Sequence, residues 1–411
     1  MTPLEILALL PLAFWLGLLL DRRRGWPREC CLSEVPADLE TDPAAVAGTA
    51  VTAVVPARDE AAVLPETLPA LLSQEAPGVE LRVVLVDDGS TDGTADAATE
   101  AALKIALGDR LRILRAPPTP PAWTGKVHAL ACGVREATMA RAKDEGAGSS
   151  EPSEWLLFTD ADIRHRPGSL VALLTRAREG PYDLVSVMAR LHAETFWERL
   201  LIPPFVFYFQ LLYPFRRVRD PRSRVAAAAG GCVLVRREAL AAAGGVDAIR
   251  EAVIDDVSLA RRVAAAGGRL WLGLDPGIVS VRPYRGLGEL WRMVARSAFV
   301  QLRHRWDLLA AVLVGLAVFV VAPPFLAAAA GWELWAGVAP TASSARALVA
   351  ALGAWTLEAV ALWPAERHHR VPGAWAWTLP FASILYGLMT ASSAWNHLRG
   401  HGARWKGRAY R

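Results

Sequence analysis

Asp160, Ala161 and Asp162 follow Trp155-Leu156-Leu157-Phe158-Thr159, a short apolar run that reads as a buried strand. An Asp-x-Asp at the carboxyl end of a strand puts two carboxylates where an open α/β sheet binds ligands. Hard oxygen donors of this kind suit Mg²⁺ or Mn²⁺, which usually complete their shells with phosphate oxygens. The chemistry to look for is therefore a metal-bound diphosphate.

Five other constellations could serve it. Pro56-Ala57-Arg58-Asp59-Glu60 closes a first apolar run, and Asp87-Asp88-Gly89-Ser90-Thr91-Asp92-Gly93-Thr94 closes a second. Asp88 could accept hydrogen bonds from a base or ribose, although a capped turn entering a helix would use the same residue types. Lys126, in Trp123-Thr124-Gly125-Lys126, could pair with a phosphate or base, or be a surface lysine. Gly230-Gly231 ahead of Cys232-Val233-Leu234-Val235-Arg236 permits close backbone approach or tight strand packing. Asp255-Asp256 heads an amphipathic helix, either as a general base or as compensation for the helix dipole.

The elements that must position these groups alternate. Strands are expected at Thr49–Val55, Leu81–Val86, Arg110–Arg115, Trp155–Thr159 and Leu184–Leu191, and helices at Asp59–Gln74 and Thr94–Leu107. This is the pattern of a layered α/β sheet, over about residues 49–300. Ala140–Ser153 reads as an exposed loop. Leu200–Phe215 is apolar and aromatic but holds Pro203, Pro204 and Pro214, so it reads as an interfacial helix or lid.

Of the 411 residues, 53% are hydrophobic, and the excess is local. Mean hydropathy is +0.25. A bilayer core needs about 20 apolar residues per helix. Leu4–Leu20, Leu308–Ala330 and Ala374–Trp395 meet that demand, whereas Ala347–Trp363 is short and carries Glu358. Residues 1–24 then form an anchor, 25–48 a polar linker, 301–396 C-terminal membrane helices and 397–411 a basic tail. Asp21-Arg22-Arg23-Arg24 after the first segment orients it with the N-terminus outside and the sheet domain in the cytoplasm, on a multi-pass protein of the cell or inner membrane. The net charge of +4 is mostly juxtamembrane, and no nucleic-acid-binding signature accompanies it. Cys30, Cys31, Cys132 and Cys232 have no metal-binding spacing and are expected to be reduced thiols.

Taken in order, these motifs resemble family 2 glycosyltransferases, which have the GT-A fold: a Rossmann-like, mixed α/β sheet, here flanked by N-terminal and C-terminal transmembrane helices. The arrangement of anchor, catalytic domain, C-terminal hydrophobic block and the tail Ala403-Arg404-Trp405-Lys406-Gly407-Arg408-Ala409-Tyr410 looks most like the hopanoid-biosynthesis-associated membrane members. The resemblance implies a nucleotide-sugar donor, usually UDP-linked, a lipid or lipid-linked acceptor, and Mg²⁺ or Mn²⁺. It implies a nucleotide-sugar set of Pro56, Arg58, Glu60, Asp88, Lys126, Asp160 and Gly231, with Glu60 and Asp88 near uracil and ribose. Asp162, with Asp160, would hold the metal. Asp256 would be the base of an inverting displacement, with Asp255 beside it where the family has Glu.

Processive members carry Gln-x-x-Arg-Trp after the catalytic domain. Gln301-Leu302-Arg303-His304-Arg305-Trp306 has one residue too many, and a helix turns about 100° per residue. Gln301 and Arg303 remain candidate acceptor or diphosphate contacts. The slip favours single transfer over a polysaccharide synthase, and the full set of acids argues against a non-catalytic scaffold.

Overall fold

In the computed structural model, residues 1–21, 46–144, 154–338, 341–400, 403–405 and 408–410 are described. Arg22–Arg24, Cys30, Cys31, most of the expected linker, residues 145–153 of the expected loop and parts of the basic tail lie outside them. Two compact units partition the chain, one formed by 28–191 with 213–282, the other by 1–27, 192–212 and 283–411.

The first unit is built on an eight-stranded sheet: β1 (Thr49–Ala57), β2 (Val79–Asp87), β3 (Leu111–Arg115), β4 (Glu154–Thr159), β5 (Ile163–His165), β6 (Leu184–Arg190), β7 (Cys232–Arg236) and β8 (Leu270–Ser280). Their order is β3-β2-β1-β4-β7-β6-β8-β5. β1 runs parallel to β2 and β4, and β7 runs antiparallel between β4 and β6. The carboxyl ends of β1, β2 and β4 and the amino end of β7 therefore share one edge, with Thr159 opposite Cys232.

The strands are apolar almost throughout because both faces are covered. Val51, Ala53, Val55, Val83, Leu85 and Leu157 pack with Leu64, Leu68 and Leu72 of the helix Leu64–Leu72 and with Ala98 and Ala101 of the helix Thr94–Lys104. Against the opposite face lies the helix Gly125–Asp144. A Cβ on its Gly133 would fall 2.3 Å from Val54 Cγ1, so glycine is what lets this helix approach β1 and bring Lys126 to the sheet edge.

Several elements differ from the sequence expectations. The helix expected over 59–74 spans only Leu64–Leu72, because Arg58, Asp59 and Glu60 are used in a loop and Pro65 suits a first helical turn. The region expected to be an exposed loop from Ala140 is helical through Asp144. Strands β5, β7 and β8 were not anticipated. The helix Phe196–Leu212 buries Leu200, Leu201, Ile202, Pro203, Pro204, Val206 and Phe207 and belongs to the second unit, not to the sheet.

Among its described residues, that second unit contains three helices long and apolar enough to cross a membrane: Pro3–Leu20, Trp306–Ala336 and Thr341–His368, with mean hydropathy 2.1, 2.5 and 1.5. The Glu358 segment, set aside above, is thus the middle of a 28-residue helix. The segment 374–395, expected to span, divides into a 3₁₀ turn (Gly373–Thr378) and the helix Leu379–Leu398, which is not among the three. Its Ser, Thr, Asn and His residues dilute the hydropathy. Within Trp306–Ala336 the backbone widens to a π-helix over Leu316–Val321, just before Pro323-Pro324. Pro323 has no N–H to offer the carbonyl of Phe319, and Trp15 Nε1 donates to that carbonyl at 2.7 Å instead. Phe196–Leu212 opens with a capping box: Thr195 Oγ1 accepts the Glu198 N–H, and the buried Glu198 carboxylate accepts the Thr195 and Glu194 N–H groups, a His192 contact and the Tyr284 N–H.

Candidate active site

The loops after β1 and β2 are tied to each other before any ligand is considered. The Asp88 N–H donates to the Ala57 carbonyl, continuing the β1–β2 ladder. The Asp59 N–H donates to Ser90 Oγ at 3.0 Å, Glu60 N–H to Thr94 Oγ1 at 2.9 Å, and Ala61 N–H to Asp92 Oδ2 at 2.9 Å. In return the Thr91 N–H donates to Asp59 Oδ1. Asp59 takes a left-handed φ of 51°, unusual outside glycine, and these bonds hold it there. Arg58 Nη1 donates to the Asp88 carbonyl at 2.7 Å and lies 3.6 Å from its carboxylate. Glu60 and Asp88 are both buried.

The Asp160–Asp162 turn is fixed from several sides. Thr67 Oγ1 donates to the Ala161 carbonyl at 2.7 Å, and the Val281 N–H donates to the Asp162 carbonyl at 2.9 Å. Thr159 Oγ1, at the end of β4, contacts His165 Nε2 and donates to the Gly231 carbonyl, each at 2.9 Å. Burial holds His165 down to about 4, so the ring is neutral and serves as a hydrogen-bonding wedge.

Lys126 stands in the first turn of Gly125–Asp144, anchored by the Thr124 N–H on the Arg250 carbonyl at 2.8 Å. Its Nζ lies 2.8 Å from Asp160 Oδ1 and 3.2 Å from Asp255 Oδ2. Burial alone would lower its pKa, but the charges of Asp160 and Asp255 outweigh that and raise it, so it stays cationic. Asp256 Oδ2 accepts the Gly230 N–H and Oδ1 its neighbour Val257 N–H, both at 2.7 Å. Burial, and then the adjacent Asp255 charge, push Asp256 up to about 7 against the opposing pull of Lys126 and the two N–H groups. A carboxylate poised there is suited to accept a proton at neutral pH.

These groups line a cleft of ≈ 370 Å³, counted with the solvent at its mouth. Pro56, Lys126, Asp160, Gly230, Asp255 and Asp256 face it, with Phe158, Val246, Ile249 and Leu259 forming an apolar wall. Of the glycine pair, Gly230 is the one at the carboxylates: a Cβ there would sit 3.1 Å from Lys126 Nζ and 3.2 Å from Asp256 Oδ2. Gly231, the member chosen from sequence, turns inward, and its Cβ would meet Ile163 at 3.2 Å.

Asp162 has partners the sequence did not disclose. Ser280 Oγ donates to its Oδ2 at 2.9 Å and Arg282 Nε to the same oxygen at 3.2 Å, while Arg282 Nη2 pairs with Glu60. Arg282 and Ser280 come from the end of β8, about 120 residues away, and no local pattern announces them. Gln301 and Arg303 belong to the second unit. Gln301 ends the helix Leu287–Gln301, and Arg303 and His304 form a left-handed turn with φ of 53° and 55°.

Along this edge the cations Arg58, Lys126 and Arg282 contact the carboxylates of Asp88, Asp160, Asp255, Asp162 and Glu60, and Asp256 adds a sixth. Among the described residues no cluster of three His, Cys, Asp or Glu forms a closed metal cage. Asp160 and Asp162 carry hard carboxylate oxygens of the kind Mg²⁺ or Mn²⁺ takes, and each is engaged by a cation of the protein, Asp160 by Lys126 and Asp162 by Arg282.

Comparison with known proteins bears on this geometry. The sequence model of glycosyl transferase family 21 matches residues 152–411, and that of glycosyl transferase family 2 matches residues 52–244. N-acetylglucosaminyl-diphospho-decaprenol L-rhamnosyltransferase from two Mycobacterium tuberculosis strains is 28% identical over 228 residues, 49% of this chain. The chain spans 65% of the length of those relatives. Among solved structures, the mannosyltransferase PcManGT from Pyrobaculum calidifontis, in complex with GDP-Man and Mn²⁺, shares the fold with a TM-score of 0.55 and 22% identity, over 95% of this chain and 99% of its own.

Proposed function

Since the chain belongs to glycosyl transferase family 21 and is a glycosyltransferase with a GT-A-type sheet, we propose that it moves a sugar from a nucleoside-diphosphate donor to a lipid-linked acceptor at a membrane, with inversion. The observation that carries this reading is the acid-rich sheet edge. Six carboxylates against three cations would repel a diphosphate unless a further cation came with it. Mg²⁺ or Mn²⁺ would be held by Asp160 and Asp162 and would supply positive charge to the diphosphate leaving group.

The protein's own groups then have distinct tasks. Glu60 and Asp88, fixed by the stitched loops, are placed to accept hydrogen bonds from the nucleoside, which we take as uridine, with Pro56 and Arg58 shaping that end. Lys126 offsets charge on the departing diphosphate. Asp256 Oδ removes the acceptor hydroxyl proton as that oxygen bonds to the anomeric carbon, and the bond from the anomeric carbon to the diphosphate oxygen breaks. No covalent enzyme intermediate is needed. Asp255, paired with Lys126, keeps the lysine in place and leaves Asp256 as the base.

A lipid-linked acceptor is supported by the decaprenol-linked substrate named for the rhamnosyltransferase relatives and by the three long apolar helices. We read these as membrane spans of a multi-pass protein with the sheet in the cytoplasm. Hopanoids are one candidate acceptor class. Comparing lipid extracts of cells with and without the gene by mass spectrometry tests this: a glycolipid lost on deletion supports it, and unchanged glycolipids with a loss of water-soluble glycosides overturn it.

A further inference from the structure

Arg282 is the last residue of the sheet unit and lies two residues beyond the end of β8. Its guanidinium bridges two acids from separate motifs: Nε to Asp162 Oδ2 at 3.2 Å and Nη2 to Glu60. Ser280 Oγ adds a second donor to the same Asp162 oxygen, and the Val281 N–H holds the Asp162 carbonyl. Three consecutive residues, the last of β8 and the two after it, thus fix the side chain and backbone of one aspartate. Arg282 is also 34% exposed, so the guanidinium can leave this position without crossing the core.

A planar guanidinium meets carboxylates and phosphates through the same fork of N–H donors. It can therefore exchange one for the other with little loss of hydrogen bonding. We propose that Arg282 is a charge placeholder. It neutralises Asp162 and Glu60 while the donor is absent, so that a divalent cation binds appreciably only together with a nucleoside diphosphate, onto which the guanidinium can transfer. This inference rests on the metal role proposed above for Asp162. It assigns Arg282 a positioning role, making metal and donor binding mutually dependent.

The test is Mn²⁺ binding, read from the paramagnetic resonance signal of free Mn²⁺, to the full-length protein in detergent with and without UDP or GDP. In the natural chain the nucleotide is expected to tighten Mn²⁺ binding about tenfold or more, within the roughly 5–150-fold span of ordinary binding couplings. Arg282→Gln is expected to bind Mn²⁺ alone about tenfold more tightly than the natural chain and to lose most of the nucleotide effect. Arg282→Lys keeps a charge, and with it the fold, but cannot bridge both carboxylates, so a rise of a few fold is expected. Asp162→Asn should bind Mn²⁺ weakly in both conditions. If neither Arg282 variant binds Mn²⁺ alone more tightly while Asp162→Asn abolishes nucleotide-linked binding, the placeholder role is refuted and the metal role stands. If Asp162→Asn binds Mn²⁺ with nucleotide as the natural chain does, both fall.

Discussion

Replacing Asp256 by Asn removes the proposed base with almost no change of shape. Each carboxylate oxygen accepts one backbone N–H at 2.7 Å, from Gly230 and Val257. The Asn amide can satisfy one of them through its oxygen and must turn its NH₂ toward the other, at a cost of about 1–3 kcal/mol for a buried unmatched donor. Removing a charge from beside Asp255 offsets part of that, so the fold should persist and thermal unfolding should shift by only a few degrees. The chemical step should suffer far more. General-base assistance contributes about 10²–10⁴ in rate, equivalent to about 3–5 kcal/mol of activation free energy. Because Asp256 is raised to about 7, the base is lost to protonation as pH falls through that value. In the natural enzyme kcat/KM should therefore rise about tenfold per pH unit below 7 and level off above it. The assay is nucleoside-diphosphate release with lipid acceptor present, across pH 5–9, for both proteins. A loss in Asp256→Asn of less than about fivefold, or an acid limb near 7 that survives the substitution, would refute the assignment.

Other outcomes follow from the same geometry. Lys126→Met should lower kcat by about 10²–10³, the usual effect of deleting one donor to a developing anion, with Asp160 and Asp255 left unpaired; unchanged turnover would remove Lys126 from the mechanism. Gly230→Ala would put a methyl 3.1 Å from Lys126 Nζ and 3.2 Å from Asp256 Oδ2, and should reduce kcat about ten- to a hundredfold through misplacement alone, with a circular dichroism spectrum like that of the parent. Thr67→Val strips the donor from the Ala161 carbonyl and should cost about 1–3 kcal/mol in denaturant unfolding, with weaker Mn²⁺ retention. Trp15→Phe leaves the Phe319 carbonyl, freed by Pro323, without its donor, and should lower the thermal stability of the helical unit while leaving nucleotide binding to the sheet unit unchanged.

What was legible in the sequence, and what was not, divides along contact range. β1, β2 and β4 show themselves because continuous apolar runs stop abruptly at charged residues, and those stops are the site. β8 is interrupted by Gly273, Pro276 and Gly277, and β5 is three residues long, so neither displays a strand pattern. The loss of β8 concealed Ser280 and Arg282, whose meaning depends on a partner strand about 120 residues away. Asp59-Glu60 looked helical because acids favour helix starts. Bonds to Ser90, Asp92 and Thr94 override that propensity. Glu358 makes its segment look short and costly to bury, yet it lies buried inside a 28-residue helix lined by Ala347, Ala350, Ala351 and Ala354. The glycine pair was visible, but only geometry separates Gly230, at the carboxylates, from Gly231, against Ile163.

Transfer of a sugar from a nucleotide to a lipid leaves its product in the membrane fraction. Purified full-length protein in vesicles made from total cell lipid, supplied with UDP- and GDP-linked sugars and Mn²⁺, can be followed by mass spectrometry of the lipid fraction. The expected result is one nucleotide sugar whose consumption adds a single glycosyl residue to a lipid, with equimolar nucleoside diphosphate released, and no such product from Asp256→Asn. Nucleoside diphosphate released into water with no glycolipid formed, or a glycolipid that Asp256→Asn makes equally well, would contradict it.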